Sequence, residues 1–495
     1  MSKKYNKLTR RKFLATSGAA AAGVALAGKD AAAQNKMHHG NMRGNHGGAM
    51  SGMKMDGMGR MKMQDMQPGP TVKTSAAGGY STPRGNDWYA RTVDPDGSYP
   101  PGLPGKDYTP VHKTNGSSLP WKIVDGVKVY HLIAEEIVHE FAPGFKAIVW
   151  GYNGEMPGPV IEAVEGDRIR IYVTNNLPAA TSVHWHGLIV PNNMDGVAGL
   201  NQRPLKPGET FKYEFPLIQH GTFMYHSHKD TMTQEGMGLV GMFVVHPRKP
   251  KRPRPDRDFT ILMHEMDIKP GTYRPDASVS SGFNTLTLNG AVFPATQPIV
   301  CQTGDHVRIR IGNLSAMDHH PYHIHGHAFR ITETDGGEIP EAAQWPETTT
   351  LVAVGQTRNI ELVTDNPGDW ATHCHMTHHT MNQMGHGLAN MVGVNAGALN
   401  NAVQGLVPNY MTMGTEGMGA MGKMAKYMDI PENSIAMVGT PGPHGYIAMG
   451  GMVTVLKVRN KITTGFADPG WYEPPEGTMV HAATAAELRR DGIKT

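Results

Sequence analysis

Pro159-Val160-Ile161 leads through Gly166-Asp167-Arg168-Ile169-Arg170-Ile171 to His184-Trp185-His186. Pro298-Ile299-Val300 leads in the same way through Gly304-Asp305-His306-Val307-Arg308-Ile309-Arg310-Ile311 to His323-Ile324-His325. Gly304 lies 138 residues beyond Gly166, and His323 lies 139 beyond His184. Offsets so nearly equal mark an internal duplication at the scale of a domain. Apolar and polar residues alternate over 168–173, 211–215 and 306–311, the period of a half-buried strand. Turn signals such as Pro207-Gly208 and Asn366-Pro367-Gly368 separate these runs. The expected fold class is all-β: two β-sandwiches over residues 126–247 and 257–398. A basic, Pro-rich linker, 248–256, joins them.

The composition points to metal before any motif is read. The 495 residues include 33 Met and 26 His but 2 Cys, which excludes a disulfide framework, a Cys-based zinc module and an iron–sulfur protein. Lys and Arg (46) nearly balance Asp and Glu (43), leaving +3, so no nucleic-acid partner is expected. Imidazoles and thioethers in this abundance favour copper. Thr9-Arg10-Arg11-Lys12-Phe13-Leu14, an Ala-rich run to Ala27 and the small residues Ala31-Ala32-Ala33 read as a twin-arginine export signal over 1–33. The run is too short for a membrane span. A periplasmic or secreted protein is expected. Residues 34–80 form a Met/His-rich segment with nine Met between 37 and 66, too poor in branched and aromatic residues to build a core. Residues 81–125 are expected to be an ordered arm. Residues 399–495, with nine more Met between 411 and 452, are an extension of unassigned fold with one strand-like run, 452–458.

Four histidine clusters carry the chemistry: His184-Trp185-His186, His226-Ser227-His228, His320-Pro321-Tyr322-His323-Ile324-His325, and His373-Cys374-His375 with His379 and Met384 beyond. On a strand, residues i and i+2 share a face, so each His-x-His pair can present two imidazoles to one cluster. Eight imidazoles, four from each domain, suit three copper ions at a domain interface with open coordination for oxygen. Alternation puts Cys374 on the face opposite His373 and His375. Its thiolate, with His320, His379 and a weak axial Met384, makes the blue-copper set. The electron path from Cys374 through the backbone to its flanking histidines would span on the order of 10 Å.

These motifs resemble those of the multicopper oxidases, the laccase family, over about residues 126–398. The resemblance implies two cupredoxin-like Greek-key domains and four copper ions. His184 and His323 would hold the type 2 copper. His186, His226, His228, His325, His373 and His375 would hold the type 3 pair, and His320, Cys374, His379 and Met384 the type 1 copper. Shifting His-Cys-His back by 147 residues onto His226-Ser227-His228 puts Ser227 at Cys374, Met232 at His379 and Met237 at Met384, while the His-x-His offset of 139 puts Thr181 at His320. The first domain therefore lacks a type 1 site. With so short a linker the chain resembles the two-domain laccases, which implies a homotrimer with interchain trinuclear clusters. Asp195 resembles the family's proton-delivering acid. The second acid, expected after the last type 1 histidine, is replaced by Thr380, and Gln383 stands where Gly usually precedes the axial residue. Cys301 reads as a buried free thiol, and His327, His378 and His386 as flanking residues.

The reaction implied is one-electron oxidation of a donor at the type 1 copper with O2 reduced to water. Phenols, aromatic amines, Cu(I) and Mn(II) are candidate donors, and the Met-rich stretches make copper tolerance an expected role. Two other readings are a copper nitrite reductase-like enzyme, for which four His-x-His pairs would be superfluous, and a non-enzymatic copper store.

Overall fold

The computed structural model describes residues 91–383, 397–406, 430–437 and 439–494. The export signal, the Met-rich stretch 37–66, residues 411–429, Met384 and His386 lie outside the described residues. The chain divides into two compact units, residues 1–79 with 395–412 and residues 80–394 with 413–495. Of the first, the described part is residues 397–406, with the helix Gly397–Gln404. The second unit carries the strands.

The first sandwich faces a five-stranded sheet with a four-stranded one. The five-stranded sheet runs Trp121–Val124, Val127–Ala142, Arg168–Asn175 and Thr210–Pro216, with Phe145–Tyr152 on Val127–Ala142. The four-stranded sheet runs Gly158–Val164, Val240–His246, Gly221–Ser227 and Val183–His186. Arg168–Asn175 alternates as expected, with Ile169, Ile171 and Val173 buried. Strands of the inner sheet such as Gly221–Ser227 are buried throughout, because the second sandwich covers their other face.

The second sandwich repeats this pairing. Arg257–Met266 lies parallel to His306–Asn313, as Val127–Ala142 lies parallel to Arg168–Asn175. Its inner sheet runs Ile299–Gln302, Val453–Arg459, Gly368–Cys374, His320–Ile324 and Thr349–Val352. Val453–Arg459 pairs parallel with Ile299–Gln302, just as Val240–His246 pairs parallel with Gly158–Val164. The strand that closes the second sandwich thus comes from the C-terminal extension, and a boundary at residue 398 does not enclose it. Met452 N donates to His379 O at 2.9 Å, which ties this strand to the turn Thr377–Thr380.

The duplicated Gly-Asp is a structural device. Gly166 and Gly304 adopt φ of +85° and +93°, which favours glycine. The following carboxylate turns back: Asp167 accepts from Val164 N at 3.0 Å, and Asp305 from Gln302 N at 2.8 Å. Each also neutralises a cation, Lys128 for Asp167 (2.8 Å) and Arg257 for Asp305 (2.8 Å).

The arm joins both sandwiches. Val111–Lys113 pairs with Arg257–Met266 of the second, and Trp121–Val124 with Val127–Ala142 of the first. A polar clamp adds to this. Thr222, on the strand that carries His226, is held by four side chains of the second sandwich. Its Oγ1 meets Arg310 Nη1 at 2.8 Å and Asn359 Oδ1 at 2.7 Å, its N–H donates to Glu333, and its carbonyl accepts from Thr357 Oγ1 at 2.9 Å. Arg310 is buried and forks onto both oxygens of Asp258, at 2.8 Å each. Thr222→Val keeps the side-chain shape but leaves buried polar atoms short of a partner, so it should cost about 2 kcal/mol. Urea midpoints check this, with Thr222→Ser expected to stay near the parent.

Candidate metal centres

The first centre assembles inside the second sandwich. On His320–Ile324 the residues alternate buried and half-buried, so His320, Tyr322 and Ile324 point inward and His323 outward. Tyr322 pairs across to Cys374, which sets Cys374 inward and His373 outward on the neighbouring strand. His379 comes from the 3-10 turn Thr377–Thr380. The three donor atoms converge: His320 Nδ1 and His379 Nδ1 are 3.0 Å apart, and Cys374 Sγ lies 3.7 and 3.6 Å from them. All three residues are buried. Burial pushes the Cys374 thiol up to about 12 and His320 well below the ordinary imidazole range. A neutral thiol against two neutral imidazoles leaves lone pairs facing one another, and a soft cation that draws off the thiol proton resolves this. The donor set therefore fits copper.

The far nitrogens of these rings are held. Ser315 Oγ lies 2.7 Å from His320 Nε2, and Asp318 Oδ2 lies 3.4 Å from His379 Nε2. Such partners fix which ring nitrogen is left for a metal. Glu265 Oε2 stands 4.0 Å from His320 Nε2, and burial pushes its carboxyl up to about 8. Met384, the expected axial ligand, lies outside the described residues. Gln383, expected to disturb the loop, instead takes the left-handed backbone glycine would take, with φ of +48°. Its Oε1 pays for this by accepting from Ser434 Oγ at 2.7 Å and Ile435 N at 2.8 Å.

The eight other imidazoles form two quartets. Trp185 is fully buried against Tyr213, Phe215 and Phe243, which anchors Val183–His186 and turns His184 and His186 outward. With His226 and His228 they make the first quartet. His184 lies 5.4 Å from His226 and from His228, centroid to centroid, and His186 Nδ1 is 3.2 Å from His226 Nε2. His323, His325, His373 and His375 repeat this. Their centroids are 4.9 Å (His323–His325) to 5.6 Å (His373–His375) apart, and His325 Nε2 lies 3.2 Å from His373 Nε2. Backbone carbonyls hold Nδ1 of four rings. His184 meets Asp195 O at 2.8 Å, His226 meets Ser227 O at 2.9 Å, His323 meets Thr348 O at 2.7 Å, and His373 meets Cys374 O at 2.8 Å. That leaves Nε2 of each for a ligand. Among the described residues, ring contacts run within each quartet and none joins the two. His325 and His375 are exposed.

Asp195 stands beside the first quartet. Its carbonyl, rather than its side chain, makes the short contact to His184; the carboxylate lies 3.4 Å from the same nitrogen and accepts from Asn201 Nδ2 at 3.0 Å. Sequence reasoning missed Glu235, whose Oε1 lies 3.1 Å from His226 Nδ1. It sits on the short helix Thr231–Gly236, outside any His-x-His unit, and only its closeness in sequence to His228 hinted at it. In the first sandwich, Gln234 fills the place corresponding to the buried centre. Its Oε1 accepts from Thr181 Oγ1 at 2.7 Å and Ser227 Oγ at 2.5 Å, and its Nε2 donates to Ala180 O at 2.9 Å. Met232, the counterpart of His379, is exposed. Cys301 is a free thiol buried in the core of the second sandwich.

Residues 134–250 and 263–393 each match a multicopper oxidase family model. The chain belongs to the multicopper oxidase family. It is similar to copper resistance protein A of Pseudomonas syringae pv. tomato, 39% identical over 120 residues, covering 24% of this chain and 19% of that protein. Laccase-1 of Botryotinia fuckeliana is 32% identical over 240 residues, covering 46% and 41%. The crystal structure of a blue copper oxidase from Nitrosomonas europaea is 22% identical, with a TM-score of 0.49, covering 74% of this chain and 94% of that one. The chain spans less than half the length of these curated relatives. Membership of the family implies copper. Replacing Glu235 by Gln should lower copper retention or turnover at the quartets roughly 10-fold or more, the usual effect of a ligand-supporting carboxylate, while leaving the visible absorption of the Cys374 centre unchanged. Metal analysis beside absorption spectra checks both halves.

Proposed function

We propose that this chain is a laccase-like oxidase that takes electrons singly from a donor at His320, Cys374 and His379 and passes them to O2 at the histidine quartets. One observation carries the reading: Cys374 faces the buried centre with His320 and His379, while its neighbours His373 and His375 face the other way into a quartet. Bound copper would supply one-electron redox chemistry at each centre: His320, Cys374 and His379, with Met384 as the expected fourth donor, would hold one ion, and the eight imidazoles would hold three. The chain's own residues supply the rest. The strand backbone from Cys374 to His373 and His375 links the centres covalently. Carbonyls of Asp195, Ser227, Thr348 and Cys374 orient the rings. The Asp195 carboxylate, partly exposed and beside His184, is the group that would move protons toward the reacting oxygen.

Each quartet is half a cluster, and neither has the other within ring contact. The exposed His325 and His375 support completion by a second chain, first domain against second domain, head to tail, closing as a homotrimer. The candidate donors are phenols, aromatic amines or cuprous ion, and the setting is the periplasm or the cell exterior, reached by the twin-arginine route. Eight quartet imidazoles favour this reading over a nitrite reductase-like enzyme, which needs one type 2 copper.

Metal analysis should give four copper ions per chain, against two for the nitrite reductase-like alternative. Sedimentation should give a trimer; a monomer with full copper content would overturn the interchain cluster. Cys374→Ser should abolish both the intense visible absorption and oxygen consumption with a phenol. Full turnover in that variant would overturn the electron route.

A further inference from the structure

Most arginines among the described residues sit within 4.0 Å of a carboxylate, as Arg170 does with Glu214, Arg257 with Asp305 and Arg459 with Asp369. Arg252 and Arg330 do not. Arg252 is half-buried in the linker, and one of its N–H groups donates to Ile339 O at 2.9 Å. The same carbonyl accepts from Gln344 Nε2 at 2.7 Å. A guanidinium carries five N–H donors, and the other four of Arg252 meet no protein acceptor among the described residues. Arg330 is exposed on the strand Phe329–Thr334, and its guanidinium has no protein partner among those residues.

Both guanidiniums line one open pocket of about 530 Å³, a size suited to a small organic molecule. It lies where the linker meets the outer sheet of the second sandwich, at His306–Asn313, Phe329–Thr334 and Thr357–Val363. None of the residues that line it is a candidate copper ligand. Pro253, Ala328, Pro346 and Val363 expose apolar surface there, with Phe329 and Leu362 buried beside them. Two carboxylates share the pocket. Glu361 is engaged, accepting from Arg308 Nε at 2.8 Å with His306 Nε2 at 2.8 Å from its other oxygen. Glu341 is exposed. Lys251, also on the wall, reaches Glu338 at 3.5 Å. The pocket is left net positive by its two guanidiniums.

Charge alone would not make a site, because an exposed guanidinium is well solvated. Two features go further. Arg252 is fixed by the Ile339 carbonyl in a linker stiffened by Pro250, Pro253 and Pro255, so little freedom remains to be lost on binding. The apolar walls next to the charges gain only from a ligand with an apolar body. Phosphate would meet the guanidiniums and leave those walls wet. A neutral ring would cover the walls and add nothing to the guanidiniums. A planar carboxylate matches the guanidinium fork, and Arg also stacks on aromatic faces.

We infer that this pocket binds an aromatic carboxylate, its charge paired with Arg252 and Arg330 and its ring laid against Pro253 and Val363. The site is separate from the Cys374 centre and does not depend on the oxidase reading. The test uses the full-length, copper-loaded protein and calorimetric titration with 2-naphthoate. The comparison ligands are 2-naphthamide, which lacks the charge, and acetate and inorganic phosphate, which lack the ring. One naphthoate per chain should bind saturably, without moving the visible absorption of the Cys374 centre. Arg252→Gln and Arg330→Gln should each weaken that binding about tenfold. Arg203→Gln, at an ion-paired arginine of the first sandwich, should leave it unchanged. No saturable binding up to about 1 mM would overturn the inference. So would full binding in both pocket variants, which would place the ligand at the copper ions or elsewhere. Acetate or phosphate binding as tightly as naphthoate would reduce the pocket to a general anion patch and overturn the assigned ligand class.

Discussion

A β-strand can present each side chain to only one of its two faces, and at Gly368–Cys374 that constraint makes one short segment serve two centres. Cys374 must face inward for its thiol to meet His320 and His379. His373 and His375 then have no choice but to face outward. A slip of one residue would exchange the faces and destroy both sites. The register is therefore held on both sides: Cys374 pairs with Tyr322, and His373 pairs with Val453. Cys374 N donates to Met452 O at 3.1 Å, and His375 N to Pro321 O at 2.7 Å. The closing strand is thus part of the metal site although it contributes no ligand to it.

The local half of this was legible in the sequence. The His-x-His pairs, the Cys between them and the duplicated Gly-Asp turns are short patterns whose spacing reports side-chain direction, and the two sandwiches followed from them. What escaped notice acts over long separations or through the backbone. Val453–Arg459 alternates weakly, being buried at most positions, and its partner Ile299–Gln302 lies about 150 residues earlier, so nothing local tied it to the second sandwich. Asp195 was singled out for its carboxylate, yet its closest contact to His184 is a carbonyl, which any residue would offer. Glu235, Ser315 and Asp318 reach the ligand rings only once loops fold over them.

The duplication shows why electrons would enter on one side only. The first sandwich keeps the outward histidines but fills the inward place with an amide network, Gln234 bridging Thr181 and Ser227. An amide and two hydroxyls satisfy one another by hydrogen bonds in a buried space. Two imidazoles and a thiol in the same space do not, and call for a metal. The difference that decides whether a half calls for a buried metal lies in these inward residues.

The clamp on Thr222 gives this asymmetry a further consequence. Thr222 and His226 lie on one strand, four residues apart, so fixing Thr222 to Arg310, Asn359 and Thr357 fixes the first quartet relative to the second sandwich. The two quartets of one chain are then fixed relative to each other. If, as proposed, the clusters form between chains, their copper affinity becomes linked to chain concentration by mass action. The Cys374 centre, wholly inside one sandwich, carries no such dependence. A single chain would accept an electron yet have nowhere to send it, so reactive oxygen chemistry would be confined to the assembled ring.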